Sequence, residues 1–465
     1  MSQSLKEKLC VDTELMLSTL SRLVRINSAA GKAEEGAPFG RGPAEALKEA
    51  ADIARSFGLK AEDLGYVCTV DLGPSDRQLD ILAHLDVVPA GDGWTVTGPF
   101  EPKVVEGRIY GRGTADDKGP AIAALFAMKA VKELNIPLKR GVRLILGADE
   151  ENGSRDIDWY YSNHRPAPMT FSPDAYYPVI NIEKGSYQPK FNAAFEDCAA
   201  LPRIVSVNGG VKGNVIPGTA VAKLEGFCSE EVIKLADKCA VLTGTEFDCS
   251  EEGGLMTVKV TGCGAHASLP WDGNNALTAL LEFIYLLPAK ESEGFKKLCK
   301  IHEMFPHGDW KGNAAGVAMS DESSGCLTIC LDVLNYSTEH MDGAFDSRLP
   351  LCATEENMRS VLVERFAQAG IGLENRPQNK PHCVDADSEL VRGLMKCYRE
   401  YTGRDDKPLA IGGGTYVHGL ENGVAFGCSM PGTDNRMHGA DEFAVIEELE
   451  LSVRIFAQAI VDFCS

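Results

Sequence analysis

Two short apolar runs, Leu79-Asp80-Ile81-Leu82-Ala83 and Val142-Arg143-Leu144-Ile145-Leu146-Gly147, flank an Ala-rich stretch from Gly119 to Leu134 with apolar residues at helical spacing. Runs this short have the length of buried strands, whereas the stretch between them is long enough for a buried helix. Strand, helix, strand in this order predicts a parallel pair joined by a crossover, and hence a sheet covered by helices. Ahead of it, Pro43 to Phe57 reads as a helix with Pro in its first turn and Gly58 as its stop. The character changes near Gly185. From there to about Pro381, β-type segments (Ala220 to Phe227, Met256 to Thr261, Glu339 to Phe345) mix with helices (Asn275 to Leu287, Thr354 to Gln368) without strict alternation, as in an α+β unit. From Ser388 a helix, a Gly-rich loop and a strand return, and Glu442 to Phe463 reads as a long amphipathic terminal helix. The 465 residues are too many for one core. The predicted organisation is an α/β domain in two parts, 1–185 and 386–465, around an inserted domain, 186–385.

Composition narrows the partners. A formal net charge of -21 repels phosphate backbones and anionic lipid, which argues against nucleic acid and membrane. No apolar run approaches the roughly 18 residues of a membrane-spanning helix. Met1 to Asp12 carries Lys6 and Lys8 without an apolar core or cleavage site, so no secretion signal is expected. Fifteen scattered cysteines, odd in number and without a C-x-x-C pair, predict free thiols in a reducing cytoplasm. The inserted domain is rich in them (Cys228, Cys239, Cys249, Cys263, Cys299, Cys326, Cys330 and Cys352 among others), and no function is assigned to them.

Five places concentrate metal-ligand residue types. His84-Leu85-Asp86 follows the first apolar run, and a carboxylate two residues on can orient the imidazole through its other ring nitrogen. Alone, such a pair is ordinarily a hydrogen-bonded histidine near a strand end. Gly111-Arg112-Gly113-Thr114-Ala115-Asp116-Asp117-Lys118-Gly119 feeds the Ala-rich helix; its paired carboxylates repel phosphate, and it lacks the phosphate-loop pattern. One aspartate there is expected to cap the helix, leaving the other free to bridge two cations. Asp149-Glu150-Glu151 directly follows the second strand, where three carboxylates repel unless solvated or neutralised by a cation. Adjacent glutamates suit a division of labour, one on metal and one as general base. Asp174 and His438 complete the set. His164, His302, His307, His340 and His382 lack comparable company and are assigned surface or structural roles.

Eight segments in order, HLDVVPAGDGW from His84, GRGTADDKGP from Gly111, GADEENG from Gly147, SPDAYYPVINIEKG from Ser172, GNVIPG from Gly213, GAHASLP from Gly264, IGGGTY from Ile411 and MHGADE from Met437, span nearly the whole chain. Together they resemble the co-catalytic zinc peptidase family of aminoacylase, carboxypeptidase G and carnosinase, with phrasing similar to its peptidase V branch of bacterial dipeptidases. The resemblance implies a zinc-exopeptidase-like catalytic domain with a mixed, largely parallel sheet covered by helices, and an inserted α+β lid domain. It implies Asp116 bridging two metals, His84 and Asp174 completing one site, and Glu151 and His438 the other. Glu150 would be the general base, with Asp86 behind His84. From the lid, His266 would stabilise the oxyanion, while Asn214 and Arg348 would hold the substrate's carboxylate end. Gly414 and Thr415 of the Gly-rich turn would also contact substrate. On residue types alone, Arg348 is better read as a surface ion pair with Asp346.

The implied cofactor is a pair of divalent ions, zinc by its His and carboxylate donors, with manganese or cobalt able to occupy the same ligands. The implied enzyme is a metal-dependent hydrolase, a monomeric cytoplasmic dipeptidase acting on small peptides with a free N-terminus. Two rivals share the scaffold. An N-acyl-amino-acid amidohydrolase would use the same centre with another pocket; a non-catalytic binding protein is disfavoured because all five ligand positions and the base are present. One departure stands out: Val417-His418 follows the Gly-rich turn where peptidase V-like sequences place Ala-Arg.

Overall fold

The computed structural model describes residues 5–465, which form two compact units. The first comprises residues up to Ile182, Cys383–Leu409 and Gly414–Ser465; the second comprises Glu183–His382 with Ala410–Gly413. The Gly-rich turn, expected whole in the C-terminal catalytic segment, therefore groups with the first unit only from Gly414.

The first unit is built on a mixed sheet. Strand Arg77–His84 runs parallel to Gly141–Gly147 on one side and to Met169–Ser172 on the other. Gly423–Phe426 adds a further parallel strand beside Met169–Ser172, and Cys68–Leu72 and Lys60–Asp63 extend the other side antiparallel. The sequence reads as near-continuous apolar runs, interrupted by Asp80 and Arg143, because both faces are covered. Ile81 and Ala83 enter the main core with the helices Lys118–Glu133 and Ile446–Cys464, while Leu82 and Ile145 point oppositely, into a smaller core with Ile157 and Tyr160. Alanines along Lys118–Glu133 leave nearly the whole helix buried. Helix Arg41–Ser56 stops as its glycine requires: Gly58 has φ +68°, its N–H donates to Arg55 O, and Leu59 N–H donates to Ala54 O.

The terminal helix is shorter at its start than its periodicity predicts. Phe443–Val445 forms a strand antiparallel to Arg108–Tyr110, and the helix runs Ile446–Cys464. An amphipathic pattern does not distinguish a buried strand leading into a helix from the helix itself. The expected helix from Thr354 likewise opens with a wider turn, Glu355–Arg359, before Ser360–Gln368.

The second unit carries a nine-stranded antiparallel sheet, in which Arg203–Gly209 joins Thr328–Tyr336 at its middle. Alternate residues of strands such as Thr219–Glu225 are buried, as expected for a sheet with helices on one face. Helices Ala276–Leu286 and Ser360–Gln368 share its core with Phe191, Met341 and Phe345. Among the described residues, no helix is long and apolar enough to cross a membrane.

Leu144 is fully buried in the first unit's main core. Leu144→Ala should destabilise that unit by about 3 kcal/mol, read as an earlier midpoint in chemical denaturation.

Candidate metal centre

The parallel strands end together, with His84 aligned with Gly147, so whatever follows each strand emerges at one edge. His84 is the last residue of its strand, Glu150–Asn152 is a short turn just past Gly147, and Asp174 lies two residues past Ser172. Asp116 and Asp117 stand at the entrance of helix Lys118–Glu133. His438 reaches the cluster from a tight loop in which it adopts φ +63°.

Six predicted residues converge there. His84 Nε2 lies 2.9 Å from Asp116 Oδ1 and 3.5 Å from Asp174 Oδ2. His438 Nε2 lies 2.9 Å from Asp116 Oδ2 and 3.2 Å from Glu151 Oε1. Asp116 thus turns one oxygen to each histidine. Donor atoms of His84, Glu150 and Asp174 all lie within 4.8 Å of one another, as do those of His84, Asp116 and Glu151.

These residues fit a pair of divalent cations. His84 Nε2 and Glu151 Oε1 are buried without an aligned hydrogen-bond partner, although oppositely charged groups lie within ion-pair distance. Lone pairs that approach without forming hydrogen bonds are aimed at a common point. Ligands about 2.0–2.1 Å from a tetrahedral ion sit roughly 3.3 Å apart, which matches this spacing. The electrostatics agree. Burial, opposed by His84 and reinforced by Asp174 and Glu151, pushes the Glu150 carboxyl well above its usual range. Burial also raises Asp174. Hydrogen bonds to Asp116 and Glu151 push His438 up to about 10, so the cluster draws positive charge to itself.

The surroundings hold these groups in ways the sequence did not announce. Asp117 does not cap its helix, contrary to the expectation for one of the pair; its Oδ2 accepts the His84 N–H at 3.0 Å, tying the helix entrance to the strand end. Asp86 was expected to orient His84 through its carboxylate. The nearer partner of Nδ1 is Asp86's own carbonyl oxygen at 3.0 Å, with Oδ1 at 3.4 Å. The Asp86 carboxylate also accepts the N–H groups of Glu150 and Glu151 at 3.2 and 3.1 Å, positioning both glutamates. Glu442, fully buried, accepts from Gly113, Ala115 and Asp116 N–H through Oε1, and its Oε2 takes the Arg112 guanidinium at 2.6 Å. Asp156 accepts the Tyr416 hydroxyl at 2.6 Å and the N–H groups of Ala148 and Asp149, steadying the approach to Glu150. Lys118 donates to Leu23 O and Ile26 O, and burial pushes its amine down to about 7. Glu442 and Lys118 lay inside segments already singled out; nothing in the sequence marked Asp156.

Thr415, in the first unit, accepts the Val417 N–H with its hydroxyl and caps the turn Tyr416–Gly419, directly after Gly414. The other predicted residues belong to the second unit. His266 Nδ1 lies 2.6 Å from Ser268 Oγ. Asn214 Oδ1 is buried without a hydrogen-bond partner. Arg348 forks onto Asp346 through Nε and Nη2 at 2.7 and 2.8 Å, and Nη1 donates to Gly412 O at 2.7 Å. The ion pair with Asp346 therefore exists, but as a buried one, since Asp346 is almost wholly covered. Among the remaining histidines, His302 faces Glu282 at 3.0 Å, His307 bonds Thr278 and Thr243, and His164 stacks on Tyr160.

Comparison with known proteins adds an independent line. The model of Peptidase family M20/M25/M40 matches residues 81–462. YtjP of Bacillus subtilis (strain 168), which carries a dipeptidase name, is 34% identical over 463 residues, covering 98% of this chain and 97% of that one. The Beta-Ala-Xaa dipeptidase of Lactobacillus delbrueckii subsp. lactis is 33% identical over 474 residues, covering 99% and 98%. Human carnosine dipeptidase 1 shares the fold, with a TM-score of 0.55 at 17% identity over 97% of this chain and 96% of that chain.

Two outcomes follow from the geometry. Asp116→Asn weakens the one carboxylate that faces both histidines, so bound metal should fall from two ions per chain to one or none by elemental analysis. Glu442→Ala leaves Arg112 buried without its partner and should cost about 3–5 kcal/mol in denaturation.

Proposed function

The chain belongs to the peptidase family M20/M25/M40, and on that footing we propose that it is a two-metal dipeptidase, hydrolysing the peptide bond of short peptides with a free N-terminus. The observation that carries this reading is Asp116, with one oxygen at 2.9 Å from each of His84 and His438. End-to-end similarity to proteins named as dipeptidases supports the substrate class.

In this reading His84, Asp116 and Asp174 would hold one ion and His438, Asp116 and Glu151 the other. Zinc suits these nitrogen and carboxylate donors, and manganese or cobalt is the alternative. Bound ions supply Lewis acidity, polarising the scissile carbonyl and making a water acidic enough to attack near neutral pH. Glu150 accepts the proton of that water and delivers it to the leaving amine. Its raised affinity for a proton suits the second half of that task. Asp86 acts through others, holding the glutamate turn by two N–H bonds and standing behind His84. For His266 we assign the oxyanion of the tetrahedral intermediate, and for Asn214 and Arg348 the substrate's terminal carboxylate, with Gly414 and Thr415 contacting substrate. Arg348 enters this role with its fork already on Asp346, so it offers only its outer N–H groups. The reading extends to a cytoplasmic monomer, a location supported by fifteen free thiols.

The metal-loaded protein should hydrolyse dipeptides and leave their N-acetylated forms intact; turnover of only the blocked forms would favour an amidohydrolase. Glu150→Gln should keep both metals yet lose at least about a hundredfold in kcat. Near-normal turnover in that variant would remove Glu150 from the role of base.

A further inference from the structure

The second unit's sheet buries one face against helices, and strand alternation turns Asp342, Ala344, Asp346 and Arg348 of His340–Leu349 to the other. Lys190 pairs with Ala344 and Asn192 with Asp342, so their side chains share that face, while Phe191 and Ala193 enter the core. On this side lies a cavity of about 600 Å³ whose lining includes Gln188, Lys190, Lys212, Asn214, Asp342 and Arg376. Its size is that of a small-molecule site.

The charge of this lining runs against the rest of the chain, whose net charge is -21. Lys190, Lys212 and Arg376 bring three cations to one opening, and no carboxylate among the described residues lies within 4.0 Å of their charged nitrogens. The single carboxylate of the lining, Asp342, already accepts from Asn335 Nδ2 at 3.0 Å and lies 3.5 Å from His340 Nε2. Three like charges held together repel one another, and the arrangement favours an incoming anion. Asn214 reaches the same cavity with its buried Oδ1 uncommitted. Gln188, also in the lining, donates to Asp346, the carboxylate that holds Arg348, so one lining side chain joins the cavity to that pair.

We infer that this cavity takes the side chain of an acidic residue at the substrate's carboxyl end, making dipeptides that end in Asp or Glu the preferred substrates. The inference rests on the reading in which Asn214 and Arg348 take the terminal carboxylate. One carboxylate served by those two leaves three further cations without an anion. A second carboxylate, carried on the side chain, supplies it. Arg376 contributes a planar fork and the lysines contribute mobile point charges on long stems, a combination suited to acids of differing length.

The test compares kcat/KM for Ala-Glu and Ala-Gln, which differ in charge but scarcely in shape, using the metal-loaded full chain and a Lys190→Glu, Arg376→Glu double variant. Wild type should favour Ala-Glu at least about tenfold at low salt, chiefly through KM, with the preference shrinking as ionic strength rises. The double variant should lose or invert it. Equal rates for the two peptides, or a preference that survives both reversals, overturns the inference. If neither dipeptide is cleaved while N-acetyl amino acids are, the dipeptidase reading fails by itself. The same ratio for N-acetyl-Glu over N-acetyl-Gln then decides the cavity's role. Both substituted side chains are exposed; should the double variant still melt early, Lys212→Ala and the wild-type salt dependence carry the same comparison.

Discussion

Asp116 stands between two histidines that lie 354 residues apart in the chain, as counted from 84 to 438, with Glu151 and Asp174 close beside it. Two unit charges of the same sign 4 Å apart repel by about 4 kcal/mol at the effective dielectric of a protein surface. Several such pairs together rival the roughly 5–15 kcal/mol by which a whole domain is stable. A buried cluster of this kind is therefore compatible with folding only when positive charge occupies it, as protons or as cations. Much of the first unit is arranged around that constraint. The parallel strands deliver His84, the glutamate turn and Asp174 to one edge, and the Arg112–Glu442 pair stiffens the loop that carries Asp116.

The strands and helices of this unit were legible because burial on both faces writes itself into the sequence. Ile81 and Ala83 serve one core and Leu82 the other, so beyond Asp80 the run shows no polar alternation to confuse with a surface strand. The residues that converge at the candidate centre were legible for a related reason: acids placed just after apolar strands are conspicuous. Their pairing was not. No local pattern states that Asp117 will accept the His84 N–H, or that the Asp86 carboxylate will hold the glutamate turn more directly than the imidazole. Such bonds depend on where two distant backbones meet, and either aspartate would look the same in sequence with the opposite role. Asp156 and Tyr416, 260 positions apart, illustrate the limit, as does the short strand Phe443–Val445, whose partner lies more than three hundred residues away.

The second unit follows a different logic. Its antiparallel sheet needs burial on one side only, so the residues of the opposite face are released from packing and free to carry charge. Arg348 shows the consequence. Its fork is fixed by Asp346 and its third nitrogen by Gly412, which removes most of the side chain's freedom before any ligand arrives. An arginine held this way gives up some bonding capacity and gains a defined orientation, which lowers the entropy lost on binding.

The proposed roles divide between the two units, which would let specificity change without disturbing the chemistry. In the proposed reaction a metal pair with a general base acts on a carbonyl whatever side chains flank it, and its candidate ligands are tied to one another through His84, Asp116 and His438. Side-chain preference must then come from groups outside that cluster. In the proposed reading the exposed face of the second unit's sheet meets this requirement: among the described residues, no carboxylate pairs with Lys190, Lys212 or Arg376, so their charges can be altered at little structural cost. The proposed preference for acidic side chains draws on this separation: the cations of the cavity, Lys190, Lys212 and Arg376, belong to the second unit, and the candidate metal ligands belong to the first.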